Sequence, residues 1–373
     1  MAAEHGLAPL AFQRLKQGGA RSYVPADVWR MLRRIYFYSV SANARIYRAL
    51  GPVLRSLCNS GIPVIVLKGA YLAAAVYEDA ALRPMGDVDI LVREADLERA
   101  QAVLLGLGGA IQTEAEFKSN KGDSPHLLPV VLGDLPLDIH WTIVRPTGPV
   151  AVDTDGLWDR ACTCSIAGAE VLALSSEDLM LHLCLHACYQ NRLAKPLNLY
   201  DVAVTTGRFG DRLHWEQLAQ RAHNWGAERH VGLTLQLARG ILGAHVPGAA
   251  LEQLVPGGVD ADIYETARQS VLTQTDYNQF LPIFGPLGAA TLKEKAMVTW
   301  QRVFLSREAM AAAYPQSREK RHLLFYYALR LRDVIRTYLS HAHRRSRALG
   351  QSRGQGGHAA LTRWLRSDRP NLR

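Results

Sequence analysis

The segment 61–93, GIPVIVLKGAYLAAAVYEDAALRPMGDVDILVR, constrains the fold more than any other part of the sequence. A short β-branched apolar run ends at Lys68, and a segment of small residues with helical character follows it. The chain then turns near Arg83 and enters the strand-like run 87–92, DVDILV. A strand, a glycine-containing turn, a helix and a second strand in this order predict a small α/β sheet with helices packed on it.

Two acids stand in the second strand-like run. Asp87 and Asp89 are two residues apart, so in a strand both side chains point to one face of the sheet. Leu91 continues that face, whereas Val88 and Ile90 point to the other. Two adjacent carboxylates repel each other, and hard divalent cations with oxygen ligands relieve the repulsion. The alternative for an isolated pair of this kind is a strand end with solvated acids.

A third carboxylate, Asp138, lies in a later apolar run, LPLDIHW, at positions 135–141. Three acids on neighbouring strands below a glycine turn can hold two Mg²⁺ ions that bind a triphosphate. His140 shares a face with Asp138 and can contact a phosphate, order a metal-bound water or orient Asp138. The alternative for His140 is a half-buried histidine that is hydrogen-bonded to the backbone.

These motifs resemble those of the nucleotidyltransferase superfamily that includes DNA polymerase β. More narrowly, the runs LKGAYLAAAVY, LRPMGDVDILV and LDIHW and the downstream LHLCLHA and LYDVA are similar to those of the family labelled uncharacterised nucleotidyltransferases. The resemblance runs from about Ala3 to the three-hundreds. It implies an α+β fold, in which a small mixed sheet with flanking helices precedes a mostly α-helical domain.

The same resemblance implies an enzyme that transfers a nucleoside monophosphate from an NTP, ATP by default, to an acceptor. Asp87, Asp89 and Asp138 would be the catalytic metal ligands, with Mg²⁺ or alternatively Mn²⁺ as the ion. The acceptor is left open between a small molecule, such as an antibiotic or a biosynthetic intermediate, and a tRNA or protein, as in nucleotidyltransferase toxins. A non-catalytic nucleotide-binding or scaffold protein of the same fold is a further alternative.

The turn after the first strand departs from the superfamily pattern. The usual serine is absent, since Lys68 precedes Gly69 and Ala70 follows it. We interpret Lys68 as the replacement phosphate contact. Gly69 would let the backbone approach the phosphates, because a side chain there would block them. Arg83 would neutralise triphosphate charge, and His140 is a further candidate for phosphate binding.

Asp201 lies in an apolar helical run, LYDVA. Burying a carboxylate there costs free energy unless it is paired or hydrogen-bonded. Related nucleotidyltransferases close a helical domain over the nucleotide, and some place a carboxylate there to deprotonate the acceptor. The resemblance therefore makes Asp201 a candidate catalytic base. The alternative is a structural ion pair with Lys195 or with an arginine.

Most of the remaining sequence predicts helices. We expect N-terminal helices in residues 1–60, the nucleotidyltransferase core in 61–165, a helical domain in 166–345 and a basic flexible tail in 346–373. In the helical part, two histidines and two cysteines recur at a spacing of four, which is compatible with a metal site. The glutamate of an H-E-x-x-H motif is absent, so the core interpretation is favoured for all four: His182, Cys184, His186 and Cys188.

Composition and charge indicate the cellular compartment and the possible partners of the protein. The 373 residues contain no apolar run long enough to span a bilayer, and the five cysteines form no disulfide framework, which together predict a protein of the reducing cytoplasm. The formal charge is +9. The segment 344–373 carries eight arginines against one aspartate, and it can contact nucleic acid or be simply solvated and disordered.

Overall fold

The computed structural model describes residues 2–3, 5–111, 124–127, 129–191, 193–273 and 354–366. The sequence also predicts helices at 293–313 and 320–339 and a break rich in glycine and proline at 282–288, and all three segments lie outside these ranges. Only 354–366 of the predicted tail is described.

The helices are α1 (Ala8–Gln17), α2 (Ala26–Asn59), α3 (Lys68–Ala75), α4 (Leu97–Gly106), α5 (Thr154–Asp159), α6 (Ser176–Leu185), α7 (Pro196–Phe209), α8 (Trp215–Asn224), α9 (Glu228–Leu242), α10 (Gly248–Leu254), α11 (Ala261–Thr273) and α12 (Gly354–Arg366).

Within the part of the chain that the structure describes, seven strands form one mixed sheet in the order β3-β4-β5-β2-β1-β7-β6. Two neighbouring pairs, β1 with β7 and β2 with β5, are parallel, and the other pairs are antiparallel. Helices flank this sheet, which confirms the predicted α+β class. The strands are β1 (Ile65–Val66), β2 (Val88–Leu91), β3 (Ala110–Ile111), β4 (Val130–Leu132), β5 (Leu135–His140), β6 (Cys162–Ile166) and β7 (Ala169–Ala173).

The hairpin formed by β6 and β7 belongs to the main sheet. The sequence predicts a linker with a short hairpin over 153–169, but β7 pairs in parallel with β1, with Ile65 opposite Leu172. Parallel pairing between segments so far apart in sequence has no local signature, since it depends on where the intervening helices pack. The structure therefore extends the sheet beyond the strands that the sequence indicates.

Side chains of β2 alternate between two hydrophobic cores. Val88 and Ile90 pack in a core with residues of α2 and α4, whereas Leu91 packs in a larger core with residues of α6, α7 and α9. This is the alternation that the sequence predicts for the D-x-D strand. It places Asp89 on the face of the sheet that Leu91 shares.

Helix α2 fixes the loop that leads into the D-x-D strand. Ser39 Oγ donates to the carbonyl oxygen of Ala81 at 2.7 Å, and Asn43 Nδ2 donates to the carbonyl oxygens of Ala80 at 2.7 Å and Arg83 at 3.0 Å. Buried hydrogen bonds of this kind hold a loop that has little regular structure of its own. The position of Arg83 is thus set from α2.

Within the described ranges, no helix has both the length and the apolar character that crossing a membrane requires.

Candidate active site

Asp89 and Asp138 lie side by side on neighbouring strands. In the parallel pair of β2 and β5, Asp89 is the direct partner of Asp138. Asp89 is buried, Asp138 is half-buried, and Asp87 is exposed and directly precedes the first residue of β2. The structure therefore brings the three acids predicted from the sequence to one region of the sheet.

Two side chains contact one oxygen of the Asp89 carboxylate, and one of them, Lys68, brings the compensating charge. Lys68 Nζ lies 2.8 Å from Asp89 Oδ1, and His140 Nε2 lies 2.7 Å from the same oxygen. Burial alone would raise the pKa of Asp89, but the Lys68 ammonium and the His140 hydrogen bond outweigh it and hold that pKa well below its usual range. Asp89 is therefore ionised and carries a compensated charge.

His140 contacts Asp89 rather than Asp138, the partner considered from the sequence. Its ring is buried, and burial lowers its pKa despite the hydrogen bond to Asp89. A neutral ring can donate to Asp89 Oδ1 only when its proton is on Nε2. The tautomer is thus set by Asp89, and His140 in turn fixes the orientation of that carboxylate.

The other two acids have raised pKa values. Burial and the charge of Asp89 raise the pKa of Asp138 to about 6. Partial desolvation and repulsion from Asp89 also raise the pKa of Asp87, against the attraction of Lys68 and Arg83. In both acids the repulsion from Asp89 adds to the larger effect of burial, and a bound cation would relieve that repulsion.

Asp89, Asp138 and His140 have the geometry of a metal site. One potential ligand atom from each lies within 4.8 Å of the others, and this is the one such group in the ranges given above. The carboxylate oxygens are suitable ligands for Mg²⁺ or Mn²⁺. His182 and His186, considered above as a metal pair, belong to no such group there. Their ring centroids are 6.3 Å apart, and His186 Nδ1 contacts Gln190 Oε1 at 2.6 Å.

The turn between β1 and α3 is conformationally unusual at Lys68. This residue begins α3 with φ of 41°, in the left-handed region that residues other than glycine rarely adopt. Strain of this kind is concentrated at ligand-binding and catalytic turns. A Cβ on Gly69 would lie 3.3 Å from Met85 Cγ and 3.5 Å from Arg83 Nη1, so the glycine also has a packing role.

Arg83 is held by Asp201. Its Nε and Nη2 donate to the two carboxylate oxygens of Asp201 at distances of 2.8–3.1 Å, and the Tyr77 hydroxyl donates to Asp201 Oδ1 at 2.7 Å. Arg83 Nη1 donates to the carbonyl oxygen of Pro84 at 2.7 Å. The contacts favour the structural alternative for Asp201, an ion pair with an arginine. The same hydrogen bonds occupy the Arg83 guanidinium, which the sequence predicts to contact phosphate.

Two residues lie near the acids although nothing in the sequence predicts this placement. His182 is fully buried, and burial together with the nearby Lys68 charge holds its pKa well below its usual range. Lys195 is exposed at the start of α7, and its charge opposes the rise in the pKa of Asp87. Only the packing of α6 and α7 against the sheet brings both residues to this region.

Solved structures similar to the chain include two of one protein. The solution structure of the antibiotic-resistance factor ANT(2'')-Ia is 14% identical, covers 52% of this chain and 97% of its own, and has a TM-score of 0.36. The crystal structure of ANT(2'')-Ia in complex with adenylyl-2''-tobramycin is 15% identical, covers 49% of this chain and 98% of its own, and has a TM-score of 0.34. No curated protein matches the sequence.

The family comparison covers the core described above. The family of uncharacterised nucleotidyltransferases matches residues 1–243, which include all three acids, Lys68 and Asp201. This span is more than half of the 373 residues. The chain belongs to this nucleotidyltransferase family, and it is a nucleotidyltransferase.

Proposed function

We propose that the chain transfers a nucleoside monophosphate from a nucleoside triphosphate to an acceptor, with Mg²⁺ as the ion and ATP as the donor. The observation that carries the proposal is the pairing of Asp89 with Asp138 in adjacent parallel strands. This register fixes two carboxylates side by side, where a divalent cation relieves their repulsion. Strands hold such a geometry more firmly than loops do.

Asp87, Asp89 and Asp138 hold the metal in this proposal. In the structure the Lys68 ammonium, 2.8 Å from Asp89 Oδ1, supplies the positive charge that a metal ion would supply when bound. When bound, two divalent ions would supply positive charge to the attacking oxygen and to the leaving pyrophosphate. His140 would keep the Asp89 carboxylate oriented, as its hydrogen bond to Oδ1 does in the structure.

Lys68 neutralises the triphosphate in this proposal. A lysine ammonium on a flexible stem can exchange a carboxylate for a phosphate once a metal takes over the carboxylate charge. Arg83 is a weaker candidate, because its guanidinium already donates three hydrogen bonds to Asp201. We therefore assign Arg83 and Asp201 to joining α7 with the loop before β2, and not to phosphate binding and proton abstraction.

The test follows the phosphorus atoms of the donor. In nucleotidyl transfer the acceptor bonds to the α-phosphorus, and the bond from that atom to pyrophosphate breaks. The protein is incubated with ATP labelled at the α- or the γ-phosphorus, Mg²⁺ and one of three acceptor pools: small molecules, RNA or protein. We expect α-label, but no γ-label, in one pool.

Two variants make this test specific. Asp89→Asn/Asp138→Asn removes both central carboxylates, and we expect it to abolish labelling. Asp134→Asn makes the same chemical change at an exposed position in the turn between β4 and β5, and it should keep full activity. Label from the γ-phosphorus would contradict the proposal, and so would α-labelling that persists in the double variant.

A further inference from the structure

The outward side of α2 has a composition unlike that of an ordinary solvated helix. The helix has 34 residues and is therefore about 50 Å long. Its only acid is Asp27, and it contains no lysine. All of its arginines are exposed: Arg30, Arg33, Arg34, Arg45, Arg48 and Arg55.

These arginines form a continuous row with aromatic residues between them. Starting at Arg30, steps of three or four residues pass through Arg34, Phe37, Ser41, Arg45 and Arg48, so these side chains lie on one helix face. Phe37 is 52% exposed. The buried row of α2, which includes Ser39, Asn43 and Leu50, is on the opposite side. We call the six arginines with Phe37 and Tyr38 the arginine face.

Nothing in the described part of the chain neutralises this face. None of its six arginines forms an ion pair with a residue in those ranges, and the Arg33 guanidinium instead lies over the Phe37 ring at 5.6 Å from its centroid. Solvated helix faces normally intersperse both signs of charge, because like charges at these spacings repel one another. A face with one sign of charge from Arg30 to Arg55 fits an anionic partner.

The long segment 274–353 of the chain itself is a poor occupant. Residues 274–353 contain 14 lysines and arginines against five acids, so they would be repelled by the arginine face. A membrane surface requires a contiguous apolar face. The exposed large apolar residues of α2 (Met31, Phe37, Tyr38 and Val40) are confined to its first half, whereas the exposed arginines continue to Arg55, so the outward side as a whole is not an apolar face.

We propose that the arginine face binds single-stranded nucleic acid. Arginines would pair with successive phosphates, and Phe37 and Tyr38 would stack on unpaired bases, which is how sequence-tolerant single-strand binding surfaces work. The face lies on α2 and contains none of the residues proposed to hold the metal or the triphosphate. Its test is therefore independent of nucleotidyl transfer.

The experiment measures binding of a labelled single strand of about 20 nucleotides to the full chain by fluorescence anisotropy. RNA and DNA are tested separately over a range of salt concentrations. We expect Arg30→Ala/Arg34→Ala/Arg45→Ala/Arg48→Ala to weaken binding at least tenfold at low salt. Because each phosphate contact contributes about 0.7 to the slope of log K against log salt, the slope should fall by about 3.

A control variant removes the same charge from other exposed positions, as Arg14→Ala/Arg208→Ala/Arg212→Ala/Arg239→Ala. We expect it to change the slope by less than 1. Both variants should unfold near the wild-type temperature, since neither changes a buried residue. Loss of RNA binding alone or DNA binding alone in the face variant identifies which strand the face accepts.

The stacking part of the proposal has its own variant. Phe37→Ala/Tyr38→Ala should weaken binding about tenfold or more with little change in the salt slope, because stacking releases no counterions. The proposal is overturned if wild type binds neither strand, or if the face and control variants lose affinity equally. It is also overturned if only vesicles of phosphatidylcholine and phosphatidylserine bind, and bind through the arginine face.

Discussion

At the scale of single residues, the site depends on the balance of charge at Asp89. The carboxylate is buried, yet its pKa is held low because Lys68 and His140 both contact Oδ1. An isolated buried carboxylate would instead take up a proton. The two partners therefore keep Asp89 ionised at neutral pH, as the proposed metal site requires.

The first prediction concerns Lys68→Met. In this variant a metal ion no longer competes with the Lys68 ammonium for Asp89 Oδ1. We therefore expect Mn²⁺ to bind as tightly as in wild type or more tightly. The triphosphate loses a charge-assisted partner, so NTP affinity should fall about 10- to 100-fold. Electron paramagnetic resonance measures free Mn²⁺, and calorimetry measures the NTP. Lys16→Met, at an exposed position on α1, is the control. A loss of Mn²⁺ binding would contradict the exchange of partners.

The acids could be predicted from the sequence, but their partners could not. Alternation along a strand correctly placed Val88 and Ile90 away from Leu91. The contact from His140 to Asp89 depends on the register of β5 against β2, which is a long-range property. The pairing of Arg83 with Asp201 spans 118 residues, and the sequence left it as one of several alternatives.

At the scale of elements, α2 makes a tight contact with the hairpin of β6 and β7. A Cβ on Gly51 would lie 2.6 Å from the carbonyl oxygen of Ala167 in that turn. Gly207 in α7 has no atom within 4 Å of the corresponding position. The two glycines lie in helices but have opposite surroundings, so they form a matched pair.

The second prediction uses this pair. Gly51→Ala should destabilise the protein by about 1–3 kcal/mol, because overpacking against backbone outweighs the better helix propensity of alanine. Gly207→Ala should stabilise it by about 0.5–1 kcal/mol, since only the propensity changes. Urea denaturation measures both. Equal effects in the two variants would show that α2 does not press on the hairpin as described.

The third prediction separates the two roles considered for Asp201. If the ion pair with Arg83 is structural, Asp201→Asn leaves a buried guanidinium without its counter-charge and should cost about 3–5 kcal/mol. The double variant Asp201→Leu/Arg83→Met should recover much of that loss. Denaturation and the transfer assay are measured on the same samples. A catalytic base would give the opposite pattern: normal stability and lost transfer in Asp201→Asn.

The place of the β6–β7 hairpin in the sheet could not be predicted from the sequence. Both of its strands were anticipated as a short hairpin, but their place in the sheet depends on the parallel pairing of β7 with β1. Strand β1 has only two residues, Ile65 and Val66, so little of this pairing is encoded locally. Helices such as α2 were predictable because their apolar period is local.

At the scale of the whole molecule, buried histidines couple folding to pH. Burial lowers the pKa of His230 to about 4 and that of His186 to about 3. An unfolded chain binds these protons near pH 6.5, whereas the folded chain does not until much lower pH. Stability is therefore lost as the pH falls from about 6.5 toward the folded pKa values.

The fourth prediction isolates His230, whose ring packs edge-on against Tyr189 with centroids 5.6 Å apart. For this residue alone the loss should be about 2 kcal/mol between pH 7 and pH 5. His230→Gln should remove that part of the pH dependence, whatever its own effect on stability at pH 7. His245→Gln, at an exposed position, should leave the pH dependence as in wild type. Parallel curves for wild type and His230→Gln would contradict the account.

The overall class was accessible from the sequence for two reasons. The order of strands and helices around the D-x-D run predicted a small α/β sheet, and the resemblance of the motifs to the uncharacterised nucleotidyltransferase family implied the α+β fold. The division into units at residues 60, 165 and 345 stays a prediction. So does the role of the arginine-rich end, of which residues 354–366 form α12, packed on α11.

The central claim is that Asp89 and Asp138 bind a metal-dependent nucleotide, and a thermal-shift titration tests it most directly. Wild type, Asp134→Asn and Asp89→Asn/Asp138→Asn are each melted with every NTP, with and without Mg²⁺. A ligand at about 100 times its dissociation constant stabilises by about 2.7 kcal/mol, a shift of several degrees. We predict a Mg²⁺-dependent shift with ATP in wild type and Asp134→Asn that is absent in the double variant. No Mg²⁺-dependent shift with any NTP, or an equal shift in the double variant, would contradict the claim.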